Sequence, residues 1–287
     1  MIGVFDSGLG GLTVLRALVA RFPATPFVYL GDHAHVPYGD RSSTEVIELT
    51  RTGVEALFAQ GCKLVLLGCN TATAVAARHL QQAWLPSSQW RGRNVLGIVA
   101  PTVEGATQTP WAVSTPQYPQ KYNTDLIAVF GTTRTIASGV YPEEIRKRCP
   151  RVVVVQQICA RLAGAIEEEA PEAELERLVE EGIAGMLEQT GGTPPHRAIL
   201  DCTHFPLIEH LFRRHLPPFA RILSQPEVVA DSLEDYLTRH PHYIASDRGG
   251  SLTLLTTGNP AETSAHARVF WPDVAAFAPS TASEPSR

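Results

Sequence analysis

The chain has 287 residues, of which 44% are hydrophobic and 18% are charged. This composition supplies the apolar side chains of one large domain or two domains of ordinary size, and it excludes an intrinsically disordered protein. The formal net charge is -5 without a long run of Lys or Arg, so we expect no nucleic-acid partner. We expect neither a signal peptide nor a membrane partner, because the start lacks basic residues and no apolar stretch approaches about 20 residues.

Short apolar runs alternate with amphipathic segments along the chain. The apolar runs predict strands at 2–5, 27–30, 64–67, 95–99, 126–130, 152–155 and 198–200. The amphipathic segments predict helices at 12–22, 43–59, 73–84 and 171–190, and Ser42 or Ser43 is suited to cap the second. Strands that alternate with helices indicate a parallel sheet with helices on both faces.

Two features recur at similar separations along the chain. The segment 2–7 resembles the segment 127–132, and a strand followed directly by a cysteine occurs at Cys69 and again at Cys202. This recurrence predicts two related α/β domains. Near the start of the second domain, Pro, Ser, Thr and Asn residues at 102–125 predict a loop rather than a helix. The C-terminal residues 274–287 are predicted to be disordered.

The five cysteines indicate the compartment of the protein. Their number is odd, their spacing is wide and no Cys-x-x-Cys occurs, which argues against a disulfide framework and a structural zinc site. We therefore predict free thiols in a reducing compartment. The five are Cys62, Cys69, Cys149, Cys159 and Cys202.

Polar residues follow four of the predicted strands. In open α/β sheets, ligands bind beyond the carboxyl ends of strands, where the N–H groups of the next helix are also exposed. Such an edge suits a ligand that carries carboxylates. The four segments are 6–8, 69–71, 131–135 and 202–204.

Two of these segments contain a cysteine in the same topological place. A single cysteine after a strand is more often a small buried side chain than a reactive group. Two of them, Cys69 and Cys202, each with polar neighbours at a helix N-terminus that would lower the thiol pKa, favour chemistry. Racemisation needs one base on one face of an α-carbon and one acid on the other. Asp6 and His204 are the candidate groups that assist the two thiols.

Metal and nucleotide sites have less support. His33 and His35 stand in a predicted loop, and His204 has no partner at metal-ligand spacing, so we predict no metal site. The glycine-rich turn after Asp6 lacks the spacing of a dinucleotide-binding loop.

Four motifs in order resemble the glutamate racemases of the aspartate/glutamate racemase superfamily. They lie at 5–14, at 31–32 with 36–39, at 69–72 and at 202–207, and the similarity extends from residue 2 to about 235. The resemblance implies an isomerase that interconverts L- and D-glutamate without pyridoxal phosphate or another cofactor. It also implies a cytoplasmic bacterial enzyme that supplies D-glutamate for peptidoglycan synthesis, and so for cell wall biogenesis and cell shape.

The resemblance also implies residue roles. Cys69 would take the α-proton of D-glutamate with the help of Asp6, and Cys202 would take that of L-glutamate with the help of His204. Two further acidic residues match family positions linked to catalysis, namely Asp32 and Glu167. The residues that would bind the amino acid are Ser7, Pro37, Tyr38, Gly39, Asn70, Thr71, Thr132, Thr135 and Thr203.

The fold implied by the family consists of two facing, doubly wound α/β domains with mainly parallel sheets. Here the first would comprise 1–97 plus 208–273, and the second 98–207. The segment 102–125 is longer than is usual in the family and is a candidate cover for the cleft or a contact in a homodimer. Asp201 stands where the family commonly has Gly, and a carboxylate facing the site would raise the pKa of the Cys202 thiol.

Two other readings remain open from the sequence. The first is an aspartate racemase or another amino-acid racemase of the same superfamily, since pocket depth is not visible in a sequence. The second, less favoured because both cysteines and both assisting residues are present, is a catalytically silent amino-acid-binding protein.

Overall fold

The computed structural model describes residues 1–113, 115–116, 118, 125–243 and 249–280. Its strands are β1 Ile2–Asp6, β2 Phe27–Gly31, β3 Leu64–Leu67, β4 Asn94–Gly97, β5 Leu126–Gly131, β6 Val153–Ile158, β7 Arg197–Asp201, β8 Arg221–Leu223, β9 Leu252–Thr256 and β10 Ala278–Pro279. Its helices are α1 Gly11–Arg21, α2 Ser43–Ala59, α3 Asn70–His79, α4 Leu85–Ser87, α5 Val99–Thr107, α6 Thr133–Ser138, α7 Val140–Arg148, α8 Leu162–Glu167, α9 Glu172–Gln189, α10 Glu209–His215, α11 Gln225–Arg239 and α12 Pro260–Phe270.

The described strands form two parallel sheets. The first has six strands in the order β10-β9-β2-β1-β3-β4, and the second has four in the order β6-β5-β7-β8. Each strand pairs in parallel with its neighbours. The predicted α/β class with parallel sheets is therefore confirmed.

The strand order also supports the predicted relation between the two halves. In the first sheet β1 lies between β2 and β3, and in the second β5 lies between β6 and β7. Cys69 follows β3 and Cys202 follows β7, so each of these cysteines leaves the corresponding strand of its own sheet. The order in which strands are added to the sheet reverses between β1 and β3 in the first sheet, and between β5 and β7 in the second. Open α/β sheets bind ligands at such a switch point.

Contacts divide the chain into two compact units. Unit one comprises Met1–Ile98 and Val229–Arg287, and unit two comprises Val99–Val228. The first boundary between the units, after Ile98, is close to the predicted boundary at 97/98. The second boundary, after Val228, lies later than the predicted one at 207/208. The reason is that β8 pairs with β7, and α10 packs on α9, so these segments complete the second sheet and its helical layer.

Helix α2 shows how the sequence determines an element. The Ser42 hydroxyl accepts the N–H of Glu45 at 3.3 Å, and the Glu45 carboxylate accepts the N–H of Ser42 at 3.0 Å, which together form a capping box. Its apolar positions, among them Val54 and Leu57, are buried beside Phe5 of β1. This packing anchors the strand whose last residue is Asp6.

Three expectations about connecting segments need correction. The predicted loop at 102–125 begins as helix α5, because Val99, Val103 and Ala106 recur at helical spacing and pack into the core of unit two. Residues 114, 117 and 119–124 of that segment lie outside the described residues. The predicted strand 95–99 ends at Gly97, and the predicted helix 73–84 begins earlier, at Asn70, and ends in a π-helical turn.

The predicted disorder of the tail is wrong for its first part. Phe277 is buried, and β10 pairs with β9 through Ala278 and Leu255, so these residues extend the first sheet. Residues 281–287 lie outside the described residues. Within the described part of the chain, no helix combines the length and apolar character that a membrane span requires.

Candidate active site

The first group of candidate residues, here called the Cys69 cluster, consists of Asp6, Ser7 and Cys69. Asp6 is the last residue of β1 and Cys69 caps α3 after the neighbouring strand β3. The Sγ atom of Cys69 lies 3.3 Å from the Ser7 hydroxyl and accepts the N–H of Ala72 at 3.4 Å. The parallel sheet thus brings a carboxylate, a hydroxyl and a thiol to one edge.

Asp6 is held by the glycine-rich turn that follows it. One carboxylate oxygen accepts the N–H groups of Gly8 at 3.1 Å and Gly11 at 3.0 Å. A side chain at position 11 would place its Cβ 2.8 Å from the Cβ of Asp6, so glycine is needed there for the helix to start this close. The Tyr29 hydroxyl donates to the Gly8 carbonyl at 2.7 Å and lies 3.2 Å from the same Asp6 oxygen.

The surroundings of Cys69 favour its protonated form. Burial first, and then the charge of Asp6, raise the pKa of this thiol from 9.0 to about 12. The hydrogen bonds from Ala72 and Ser7 act in the opposite direction but are weaker. The expectation that a helix N-terminus lowers the pKa is therefore wrong for Cys69, because burial next to a carboxylate outweighs the helix end.

Asp32, at the end of β2, organises the adjoining loop. Its carboxylate accepts the hydroxyls of Tyr38 and Thr257, each at 2.7 Å, and contacts the His35 imidazole at 2.8 Å. Asp32 and Tyr38 are both buried, and the pKa of Tyr38 is raised by burial and by Asp32. The Tyr38 hydroxyl is thus engaged by Asp32, and Tyr38 packs in the same buried cluster of unit one as Cys69.

The second group, here called the Cys202 cluster, consists of Cys202, His204 and Glu167. The Cys202 Sγ lies 3.5 Å from Nδ1 of His204, and Nε2 of His204 lies 2.7 Å from the Glu167 carboxylate. Glu167 ends α8, so it reaches His204 from a different element. The three side chains form a continuous thiol–imidazole–carboxylate chain within unit two.

The Cys202 cluster favours a positive imidazole. Burial lowers the pKa of His204, but the neighbouring Cys202 and Glu167 outweigh it and raise this pKa well above the usual value. A cation next to a thiol stabilises the thiolate. The two clusters therefore differ in their charged neighbours, since Cys69 lies beside a carboxylate and Cys202 lies beside an imidazole whose raised pKa favours the positive form.

The remaining predicted binding residues flank the two clusters. In unit two, the Thr132 and Thr135 hydroxyls are 3.1 Å apart. Thr203, which lies between Cys202 and His204 in the sequence, is buried. In unit one, Asn70 and Thr71 begin α3 directly after Cys69 and are both buried. Pro37 is exposed and Gly39 half-buried, and they flank the buried Tyr38.

Asp201 does not face Cys202. Alternate residues of a strand point to opposite faces of a sheet. Leu200 packs in the same apolar cluster as Cys202, whereas Ile199 packs with Tyr141 on the other face, where Asp201 also contacts Tyr141. The predicted direct effect of a carboxylate on the Cys202 thiol is therefore not supported.

Sequence reasoning missed three partners of the carboxylates. Tyr29 approaches Asp6 from the middle of β2, and His35 and Thr257 both bind Asp32. Thr257 follows β9, and a Thr-Gly pair after an apolar run was the available signal. Among the described residues, no group of three or more His, Cys, Asp or Glu side chains could hold a metal ion.

The three remaining cysteines are buried, and none of the five forms a disulfide. Cys62 packs in the core of unit one, and Cys149 packs in that of unit two, as expected for structural residues. Cys159 packs in the same apolar cluster as Cys202, and burial first, then Cys202, raise its pKa to about 12.

Comparison with known proteins identifies the family, although no protein-family model matches the chain. Glutamate racemase from Phenylobacterium zucineum (strain HLK1) is 46% identical over 282 residues, which cover 97% of this chain and 99% of that protein. Glutamate racemase from Caulobacter sp. (strain K31) is 46% identical over 274 residues, 94% of this chain and 96% of that protein. The solved structure of glutamate racemase isoform RacE1 from Bacillus anthracis matches with a TM-score of 0.83 and 26% identity, covering 100% of this chain and 98% of that one. On the strength of these full-length similarities, the chain belongs to the glutamate racemase family.

Proposed function

We propose that the protein interconverts L- and D-glutamate, with Cys69 and Cys202 as its two acid–base groups and without a cofactor. One observation carries this proposal within the family. Two cysteine thiols leave corresponding strands of two related sheets, and each has its own acid–base neighbours. A pair of like groups suits a reaction in which the roles of acid and base are exchanged between the two directions.

The proton transfers follow from this assignment. With D-glutamate, the Cys69 thiolate takes the α-proton while the Cys202 thiol delivers a proton to the opposite face of the carbanion. With L-glutamate, the roles are reversed. The mechanism requires both thiols to reach one bound amino acid. Each turnover moves one proton onto one sulfur and one proton off the other, so no external acid or base is consumed.

The neighbouring residues support each thiol in a different way. Asp6 is placed to assist Cys69, and the His204–Glu167 pair is placed to assist Cys202. Asp32 would fix the loop that contains Tyr38. The proposed contacts to the amino acid come from Ser7, Pro37, Tyr38, Gly39, Asn70, Thr71, Thr132, Thr135 and Thr203.

The cellular role belongs to the same proposal. D-glutamate would supply peptidoglycan synthesis in the cytoplasm, and the enzyme would thereby serve cell wall biogenesis. A homodimer, which is part of this proposal, would be seen as twice the chain mass in solution, at the concentration used for the activity assay.

The reaction can be tested directly. Purified protein, dialysed against a metal chelator, is incubated with L-glutamate in deuterated water, and circular dichroism and α-deuterium content are followed together. We expect loss of optical activity with deuterium at the α-carbon. L-aspartate is the matched control substrate and should turn over far more slowly. Faster turnover of L-aspartate would instead identify an aspartate racemase, and activity that returns only with added metal would contradict the thiol mechanism.

The two assisting groups should affect the two directions unequally. We expect Asp6→Asn to lower kcat mainly from D-glutamate and His204→Asn mainly from L-glutamate, by roughly 100-fold, as for a lost general acid–base partner. The values of kcat/KM must stay equal in the two directions, because the equilibrium constant of a racemisation is one. Equal losses of kcat in both directions for both variants would contradict the division of roles.

A further inference from the structure

A buried carboxyl lies directly next to Cys202 in the chain and has no role in the proposed proton transfers. Asp201 ends β7 and is 0% exposed. The Tyr141 hydroxyl contacts this carboxyl, but neither oxygen has a hydrogen bond of good geometry with a described residue. An unpaired carboxylate at this depth would be costly, and burial raises the pKa of Asp201 well above its usual value, which favours the protonated carboxyl.

The carboxyl belongs to a buried polar cluster, here called the Asp201 cluster, with Tyr141, Gln225 and Thr102. The Gln225 amide donates to Thr102 at 3.1 Å and to Tyr141 at 3.2 Å, and all four side chains are 0% exposed. Thr102 lies on α5, just after the chain enters unit two, and Gln225 begins α11, just before the chain leaves it. The end of β7 is thereby tied to both helices at the limits of unit two.

The Asp201 carboxyl also fills a space that glycine leaves open. Gly131 is the last residue of β5 and is the register partner of Asp201 on β7. A Cβ built on Gly131 would lie 2.9 Å from the Asp201 carboxyl oxygen, which is closer than real Cβ contacts allow. The carboxyl is therefore packed over the ends of two strands, and these strands continue into Thr132 and Cys202.

We propose that Asp201 is a positioning residue for Cys202. Its side chain packs between Gly131 and Tyr141 on one face of the sheet. This packing fixes the direction in which the chain leaves β7. That direction determines how the Cys202 sulfur meets His204 on the other face. The proposal rests on the proposed function, in which Cys202 exchanges protons with the substrate, but its geometric content concerns the thiol alone.

Three single variants of the full chain test the role of the side chain. Asp201→Asn keeps the shape and the neutral state, and we expect kcat within about twofold of the wild type, because an amide replaces a protonated acid well. Asp201→Ala empties the space, and we expect kcat to fall roughly 10- to 100-fold with a small change in KM, as for a displaced catalytic group. Asp125→Asn is the control, since it breaks a pair with Arg197 at the start of β7 and should leave kcat unchanged.

A second readout does not depend on racemisation. The alkylation rate of Cys202 by iodoacetamide, measured by peptide mass spectrometry, should fall roughly tenfold in Asp201→Ala, because the sulfur loses its cationic neighbour. It should stay at the wild-type rate in Asp201→Asn and Asp125→Asn. If the wild type does not racemise glutamate, the proposed function fails, and this rate still tests the positioning role.

Steric crowding at Gly131 provides a further test, and its single variant Gly131→Ala keeps the Asp201 side chain. Gly131→Ala should lower both kcat and the Cys202 alkylation rate by forcing the carboxyl aside. Combining it with Asp201→Ala should restore part of both quantities, because the clash is removed. The proposal would be overturned if the losses of kcat and alkylation rate in the double variant were the product of those in the two single variants. It would also be overturned if folded Asp201→Ala kept the wild-type kcat and alkylation rate.

Discussion

Changing Cys69 or Cys202 to serine should each lower racemase activity by several orders of magnitude while the protein stays folded. Serine keeps the size of the side chain but is a far weaker acid–base group than a thiol at neutral pH. Neither thiol can replace the other, because each would serve a single face of the α-carbon. The measurement is kcat in both directions by circular dichroism, with the melting temperature as the check on folding.

Two buried cysteines outside the clusters provide matched controls. Cys62→Ser in unit one and Cys149→Ser in unit two should cost stability on the order of 1 kcal/mol without lowering kcat of the folded protein. If Cys69 and Cys202 were only packing residues, their serine variants would behave like these controls. Full racemisation by a folded Cys69→Ser or Cys202→Ser protein would end the two-thiol mechanism.

A single-thiol variant should retain one partial reaction. Elimination of HX from a glutamate analogue with a leaving group on its β-carbon needs one base to take the α-proton as X departs. Cys202→Ser should therefore still process the enantiomer that Cys69 deprotonates. Loss of elimination from both enantiomers in both variants would show that the thiols are needed for binding or folding rather than for proton removal.

The elements that form the two clusters could be predicted because their signals are local. The Ser-x-x-Glu pattern at Ser42 predicts the start of α2, and apolar runs predict β1, β3, β5 and β7. Cys69 and Cys202 could be found because the polar residues follow those runs directly. In contrast, β8 has only three residues and begins with an exposed arginine, so it is too short to show the alternation of apolar and polar residues that marks a strand.

Contacts between distant segments account for what the sequence could not show. Glu167 and His204 meet only because α8 and the turn after β7 pack in the same unit, and no spacing rule relates them. The raised pKa of Cys69 depends on burial, which a motif does not report. The direction of Asp201, however, follows from strand alternation, since it is one residue away from Cys202 and must point to the other face.

The different charges beside the two thiols should appear as a large difference in alkylation. Cys69 and Cys202 are each 6% exposed, so solvent accessibility alone predicts the same alkylation rate for both. A pKa of about 12 leaves Cys69 roughly 1,000-fold less thiolate at pH 8 than its usual value of 9.0 would. Since a thiolate of higher pKa is more nucleophilic, alkylation of Cys69 should be slower by roughly 30-fold than that of a thiol with the usual pKa.

We therefore expect iodoacetamide to modify Cys202 at least roughly tenfold faster than Cys69 at pH 7.5, because Cys202 lies beside His204, whose raised pKa favours a positive imidazole, and not beside a carboxylate. The rate at Cys69 should rise about tenfold per pH unit across pH 6 to 9.5, since deprotonation limits it throughout that range. Asp6→Asn should accelerate Cys69 by removing the neighbouring negative charge, and His204→Asn should slow Cys202. Each variant is the control for the other thiol, whose rate should not change. Equal rates at the two wild-type thiols, or a Cys69 rate that levels off below pH 9, would show that the carboxylate and imidazole do not set their reactivity.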